Sequence, residues 1–524
     1  MQELVSFLSN PKAYDHPVDT VTVVQTHISY VFIAKPYVYK LKKPVDFGFL
    51  NFVSFEDRKF YTFEEYRLNS RISPEIYLGV VVVVKDGKKL RLVEDGKYDE
   101  KNVAAYCLKM KYIDDTYSLK NMLMQGINNQ LLSLIAQKIY MFHKEADNTE
   151  GLQGFGGINE ISKNSLENFD QIEKYIGAIV TEDDYDCMRK WTDNFIKHNT
   201  TLFENRNAQG FVRDCHGDLH CEHIYYKDGT IIILDCIEFN KRFRYIDTIS
   251  DIAFLLMDLD VNGNTADSNR LCAQYIQLSG DYDGVLVLPF YKAYRAMVRA
   301  KINSFQSDNE GITQQEKDAC IQKASQYFQL AKHYMQQNTK GVVYTVFGNI
   351  GSGKSTIAME LASLTGGIVI NSDAVRKKLA GLDVFDKAKS KAGEGIYTPQ
   401  MTEKVYATMK QKALAIAHAG MPVILDGTFY SKEIRRNFYQ FFKDEGIGIQ
   451  FVYAQCPEEE LLRRIEKREK DASISDADVE TFMQLKDRFE KPDNDEQQVY
   501  KINTESGIDD IYNQLKNIII IKNK

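Results

Sequence analysis

Val342-Val343-Tyr344-Thr345-Val346-Phe347, followed by Gly348-Asn349-Ile350-Gly351-Ser352-Gly353-Lys354-Ser355 and then Thr356-Ile357-Ala358-Met359-Glu360-Leu361, decides the fold of the last third of this chain. A short apolar, β-prone run leads into a glycine-rich turn of the form G-x-x-x-x-G-K-[ST], and a helical pattern begins at once. In that setting the glycines let backbone N–H groups curl around phosphate oxygens at a helix N-terminus. Lys354 then reaches the β- and γ-phosphates of a nucleotide, and the Ser355 hydroxyl is placed to ligate Mg²⁺. A chance glycine-rich turn would not need this order of strand, loop and helix. Gly348, Gly351, Ser352, Gly353, Lys354, Ser355 and Thr356 are therefore expected to hold the phosphates of ATP with Mg²⁺.

Downstream, GGIVINS, MPVILDG, IQFVYAQ and QVYKINT alternate with helical patterns. Strands and helices in alternation predict an α/β module with a parallel sheet covered on both faces. Ligands of such sheets bind at the carboxyl edge of the strands, and the second strand ends there in Asn371-Ser372-Asp373, followed by Arg376. Asp373 is the candidate base for an acceptor hydroxyl and Arg376 a cation for the transferring phosphoryl group; helix N-capping is the alternative reading of Asp373. Asp426, ending VILD, has the place of a carboxylate beside the Mg²⁺ hydration shell, or of an ordinary strand-end turn. In LLRRIEKR, Arg464 and Arg468 share a helix face with Arg463 beside them. They form either a lid over the phosphates or a solvated helix surface.

Upstream, TVTVVQT, YVFIAK and YVYKLKK, the helical SFEDRKFYTFEEYRLNSRI, and YLGVVVVVKDGKKLRLVE predict a small mixed lobe. A helix-rich stretch follows, interrupted by GFVRDCHGDLHCEHIYYKDGTIIILDCIEF, a loop between strand signals. An amphipathic segment from about Glu316 to Gln336 and then NTKG precede the new strand, so a boundary near Lys340 divides residues 1–339 from 340–524. Lys292, Arg295 and Arg299 recur at helical spacing, either as a solvated cationic face or as a clamp for an anionic substrate.

The 524 residues, 44% hydrophobic and 27% charged, suffice for two or more domains with their own cores. A formal charge of −7 argues against broad adhesion to nucleic acid, leaving only a local basic groove for any polynucleotide. With no basic segment leading into an apolar stretch and no long apolar run, a cytoplasmic protein without membrane contact is expected. The eight scattered cysteines imply no disulfide framework.

GNIGSGKS, NSDAVRK, VILDGTF and LLRRIEKR together resemble the P-loop kinase family that includes polynucleotide 5′-kinases and zeta-type toxins. That resemblance implies phosphoryl transfer to a hydroxyl, with Asp373 as catalytic base, Arg376 binding substrate or phosphate, and lid arginines at Arg463, Arg464 or Arg468. Farther upstream, His216-Gly217-Asp218-Leu219-His220-Cys221-Glu222-His223 and Ile231-Ile232-Ile233-Leu234-Asp235 resemble the catalytic and metal-binding segments of aminoglycoside and choline phosphotransferases, which share the protein-kinase fold. The implied N-terminal fold is α+β and protein-kinase-like. Asp218 would orient the acceptor hydroxyl, Asp235 would ligate Mg²⁺, and a lysine of Val38-Tyr39-Lys40, or Lys42 on the same face, would pair with Glu64 or Glu65. Met110 to Tyr112 would be the hinge beside the adenine. The family pattern wants Asn where this chain has His223, and imidazole suits Mg²⁺ less well than oxygen donors. The module is then a slow kinase, a user of another metal, or only a nucleotide binder. Cys215 to His223 also invites a zinc reading, although its spacing fits no known zinc module. Asp247 and Asp251 read as supports of the catalytic loop. The order of motifs resembles bacterial bifunctional aminoglycoside-phosphotransferase-like, P-loop ATP-binding proteins.

The leading expectation is a bifunctional ATP-dependent kinase acting on a hydroxyl of a sugar, nucleotide-sugar or related small molecule. An RNA or DNA end kinase is the second reading, and a nucleotide-sensing pseudokinase gating a P-loop ATPase is the third. Aminoglycoside resistance is disfavoured, because fold resemblance does not carry substrate identity. The sequence leaves the acceptor and the oligomeric state open.

Overall fold

The computed structural model describes every residue except 49, 88, 95, 97, 337–340, 388–393, 469–478, 494–495, 497–498 and 523–524. The expected boundary at Lys340 thus lies outside the described residues. The chain forms two compact units, one of residues 1–127, 141–164 and 196–255, the other of residues 128–140, 165–195 and 256–524.

The first unit is built on a six-stranded antiparallel sheet of β1 (Thr22–Gln25), β2 (Ser29–Ala34), β3 (Tyr37–Lys42), β4 (Tyr77–Asp86), β5 (Lys89–Val93) and β6 (Val103–Lys111), in the order β1-β2-β3-β6-β4-β5. Period-two alternation in β3 sends Tyr39 and Leu41 into a core with Leu8, Phe32 and Val83, and leaves Lys40 and Lys42 on the opposite face. The helix Phe55–Ser70 packs on β4 and β6 and starts where the Ser54 side chain accepts the Asp57 N–H. Its Glu65 therefore meets the two lysines of β3. Short antiparallel pairs carry the motif loop: β7 (Val212–Asp214) with β10 (Tyr245–Asp247), and β8 (Ile224–Lys227) with β9 (Thr230–Ile233).

In the second unit, β11 (Val342–Phe347), β12 (Ile368–Asn371), β13 (Val423–Asp426), β14 (Gly448–Gln455) and β15 (Val499–Asn503) form a parallel sheet in the order β12-β13-β11-β14-β15. The phosphate-loop strand is central, so the loop leaves the middle of the sheet's carboxyl edge. Val346, Ile357, Leu361, Val369, Ile424 and Val452 fill the core under it, and Ala273 from the helix Thr265–Ser279 joins them. The elements are those expected: an N-terminal part of mixed α+β structure and a C-terminal α/β P-loop domain with a parallel sheet.

Two expectations need correction. Lys292 and Arg295 do not form a solvated face: Arg295 is 4% exposed, and Lys292 pairs with Asp260 at 2.5 Å. Helical spacing placed them on one side, but that side is packed against other helices of the unit. The eight cysteines, taken in the sequence as small buried hydrophobes, are all free thiols, but Cys187 is exposed and Cys320 and Cys456 are half-buried. Among the described residues no helix is long and apolar enough to cross a membrane.

Candidate functional site

The phosphate loop turns at Gly351 and Gly353, with φ of 79° and 84°. A Cβ on Gly351 would stand 3.0 Å from the Leu461 carbonyl oxygen, so the backbone passes where no side chain fits. Ser355, in the first turn of the helix Lys354–Thr365, donates to Asp426 Oδ2 at 2.8 Å. Asn371 Nδ2 donates to the same oxygen at 2.7 Å. Asp426 is 1% exposed; burial raises its pKa, opposed by Lys354, Asn371 and Ser355. Lys354 Nζ rests on the Asn349 carbonyl at 2.8 Å, across its own loop. Ser352 Oγ is buried without a hydrogen-bond partner at the base of the cradle. A hydroxyl and a carboxylate side by side are oxygen donors of the kind Mg²⁺ takes, so Ser355 and Asp426 fit the ion.

Asn371 accepts the N–H groups of Asp373 and Ala374 at 3.0 and 2.9 Å and caps the helix Ser372–Leu379. Capping therefore does not account for Asp373, whose side chain lines the cavity above the loop. Arg376, one turn on, donates to the Ile396 carbonyl at 3.0 Å and to Thr402 Oγ1 at 3.2 Å, and lies over the Tyr397 ring at 5.1 Å. Its Nε is buried with no partner, although Arg376 borders the same cavity. That cavity, roughly 1330 Å³, brings together Gly351, Gly353, Lys354, Ser355, Thr356, Asp373, Arg376, Asp426 and Arg464.

Arg464 lies against the phosphate loop: Nε bonds Glu460 at 2.7 Å and the other two nitrogens reach the Thr504 hydroxyl and carbonyl. Thr504 Oγ1 in turn donates to the Ser352 carbonyl at 2.8 Å. Arg463, 67% exposed, pairs only locally with Glu460, in keeping with a solvated face. Arg468 ends the helix Glu458–Arg468, and its side chain lies outside the described residues.

In the first unit, Lys40 lies 2.7 Å from Glu65 and 3.0 Å from Asp235. Burial disfavours its charge, yet Asp235, Glu65 and Glu238 hold its pKa well above the ordinary value. Burial acts against the Asp235 anion too, and Lys40 and His223 more than compensate, so its pKa is lowered. Lys42, 1% exposed, is enclosed by Glu65 and Glu238, whereas Glu64 pairs with Arg67 and Arg244. The choice left open in the sequence thus falls to Lys40 and Glu65 as the pair facing Asp235. Asp235 has φ of 64° and donates its N–H to the buried Tyr77 hydroxyl at 3.1 Å.

Asp218 follows a loop fixed from beneath by Asp251, whose carboxylate accepts the N–H groups of His216 and Gly217 at 2.9 Å each. Asp247 binds Arg206 instead. His223 donates from Nδ1 to the Asp218 carbonyl at 2.9 Å, with its ring nitrogen 3.7 Å from the Asp218 carboxylate. Burial, and then His220 beside it, push the His223 pKa down to about 4. A neutral imidazole beside one carboxylate does not match the oxygen set Mg²⁺ takes. Asp218, His220 and His223 could together hold a metal ion, without either neighbouring cysteine; Cys215 lies with His143 and Asp251.

Asn371, Tyr397, Thr402 and Thr504 carry no motif of their own; they matter through the arginines and the carboxylate they hold. Only the juxtaposition of Asn371 with Asp373 in NSDAVRK hinted at one of them.

Residues 343–492 match the AAA domain family AAA_33. An uncharacterized protein of Mycobacterium tuberculosis strain H37Rv is 30% identical over 424 residues, 80% of this chain and 81% of its own. A probable adenylyl-sulfate kinase of Aeropyrum pernix is 27% identical over 158 residues, 30% of this chain and 80% of that protein. Among solved structures, a choline/ethanolamine kinase family protein from Mesorhizobium loti covers 64% of this chain and 99% of its own, at 13% identity and a TM-score of 0.36. By the identity and coverage it shares with the mycobacterial protein, this chain belongs to that protein's family.

Proposed function

We propose that the chain is a cytoplasmic, ATP-dependent phosphotransferase of two modules, residues 1–339 and 340–524, with Mg²⁺ in the P-loop module. The P-loop module transfers the γ-phosphoryl group to a hydroxyl of a small molecule such as a sugar or nucleotide derivative. One observation carries this reading: Lys354, Ser355, Asp426 and the acidic Asp373 open onto one cavity. An ATPase needs the first three; a carboxylate across from them suits an acceptor that must lose a proton. Mg²⁺, when bound, would offset charge on the phosphates. Asp373 orients the acceptor hydroxyl and takes its proton as the new P–O bond forms and ADP leaves. Lys354, Arg376 and Arg464 offset the negative charge of the group in transit, and the likeness to a probable adenylyl-sulfate kinase supports a small acceptor.

The N-terminal module is read as a second kinase site, favoured by Lys40 lying between Glu65 and Asp235, with Asp218 as base. Label transfer from γ-labelled ATP to a small-molecule and RNA extract tests both readings. Loss of distinct products in Lys354→Ala and in Asp218→Asn is expected. Loss only in Lys354→Ala would make the N-terminal module regulatory, and phosphate release without any labelled product would sink the kinase reading.

A further inference from the structure

The cavity over the phosphate loop is larger than the 300–1,000 Å³ or so of an ordinary ligand pocket, at roughly 1330 Å³. One of its walls comes from outside residues 340–524. The helix Thr265–Ser279 packs along the phosphate-loop helix and β12. Asn269 Nδ2 donates to the Ser363 carbonyl at 3.1 Å, Ser363 Oγ to the Ala266 carbonyl at 3.0 Å, and Arg270 pairs with Glu360 at 2.6 Å. Rising numbers on one helix meet falling numbers on the other, so the two are antiparallel, and Gln274 and Gln277 come level with the first turns after the loop. The helix ends at Ser279, whose carbonyl accepts from Lys378 at 2.9 Å, beside the helix that bears Asp373 and Arg376.

Gln274 and Gln277 therefore border the cavity on the flank of Thr356, Met359 and Asp373. Arg464 and Thr504 occupy the other flank, within 3.3 Å of where a Cβ on Gly353 would stand. Two features mark this wall as built for a ligand. Gln277 is 7% exposed and yet lines the cavity. Gln274 donates to Ser133 Oγ at 2.7 Å, which fixes its amide, while its Oε1 is buried with no partner. The equally unpartnered Arg376 Nε belongs to a residue lining the same cavity. A buried acceptor left unmet is unfavourable, so a donor from a ligand is the natural complement. Neutral amides recognise hydroxyl groups and base edges without calling for charge.

We infer that Gln274 and Gln277 complete the acceptor subsite of the P-loop module, and that the acceptor is a hydroxyl-rich small molecule, a sugar or nucleoside unit, held by these amides beside Asp373. The inference rests on the kinase reading above. Specificity for the acceptor then resides in chain that precedes the phosphate loop, and the ATP phosphates do not depend on it.

The test uses the full chain, γ-labelled ATP and a metabolite extract filtered to small molecules, diluted in series so that half-saturation of label transfer reports acceptor binding. Gln274→Ala/Gln277→Ala should raise the half-saturating extract concentration at least tenfold, with binding of a fluorescent ATP analogue changed less than twofold. Gln277→Met, which keeps the packing volume without the amide or a buried charge, should raise that concentration too and guards against a folding defect. Mass spectrometry of the labelled product should show a sugar or nucleoside. Half-saturation unchanged in all variants, or a labelled product that is neither a sugar nor a nucleoside, overturns the subsite while leaving the kinase reading intact. Absence of any Lys354-dependent transfer in the wild type removes both.

Discussion

Lys40 and Lys42 share one face of β3, yet their surroundings give them different tasks. Lys42 touches Glu65 and Glu238 and is closed off, so Lys42→Ala would leave the buried Glu238 without its cation and Glu65 with Lys40 alone. Breaking such a buried pair costs about 3–5 kcal/mol, and a matching drop in the first unit's unfolding midpoint is expected by denaturant titration. Lys40→Ala should disturb stability less, because its partner Asp235 is 43% exposed, and should instead weaken ATP binding at that site, measured by calorimetry. His216 supplies a pH dependence. Its Nδ1 accepts the Asp218 N–H at 3.2 Å and its Nε2 lies 2.8 Å from the Leu234 carbonyl, an arrangement that a neutral ring satisfies. Burial lowers its pKa from 6.5. With the folded value below the unfolded one, its contribution is present above pH 6.5 and lost as pH falls through the folded value. His216→Gln should flatten the melting-temperature profile below pH 6.5, and an unchanged slope would show that other groups set it. These differences could not be read from YVYKLKK or HGDLH, because Glu238 and Leu234 are brought to those motifs only by the folded chain.

At the scale of elements, much was legible. Period-two runs became β1 to β6, and the alternation after Val342 became a parallel sheet, because hydrophobic spacing and glycine punctuation are local properties. The order β12-β13-β11-β14-β15 is not local, and neither is the use made of Gly395-Ile396-Tyr397. That short turn carries no motif, yet it supplies a carbonyl and a ring to Arg376. The lid arginines show the same limit: helical spacing put Arg464 and Arg468 on one face, but only the fold joins Arg464 to Thr504 and so to the Ser352 carbonyl. Thr504, just past the end of β15, thus holds Arg464 beside the phosphate loop. Arg464→Ala should lower the rate of label transfer about 100-fold, the usual cost of one charge-stabilising donor, with ATP affinity changed far less. Thr504→Val, which frees Arg464 from one anchor, should fall between. Equal losses of rate and affinity in Arg464→Ala would instead assign it to ground-state binding.

For the whole molecule, a formal charge of −7 sets polynucleotide binding against net repulsion, so the small-molecule acceptor is the more economical reading of the aromatic-lined cavity. The proposed division at residue 340 meets a different demand. Ala273 lies in the same core as Val346 and Ile357, Lys412 binds Asp283 at 2.7 Å, and the Tyr140 hydroxyl donates to Asp383 at 3.0 Å. Sequence boundaries follow the chain, whereas burial follows the surfaces that meet, and here the phosphate-loop helix is covered by a helix about 90 residues upstream, Asn269 meeting Ser363. A fragment of residues 340–524 uncovers that side. Two apolar side chains lost from cover amount to about 3 kcal/mol, or about 6–12 °C for a module of this size. The fragment 256–524, which keeps Thr265–Ser279, should therefore melt about 10 °C above 340–524 by circular dichroism. If the two melt together, residues 340–524 fold as a self-sufficient domain, and the upstream helix serves the acceptor alone.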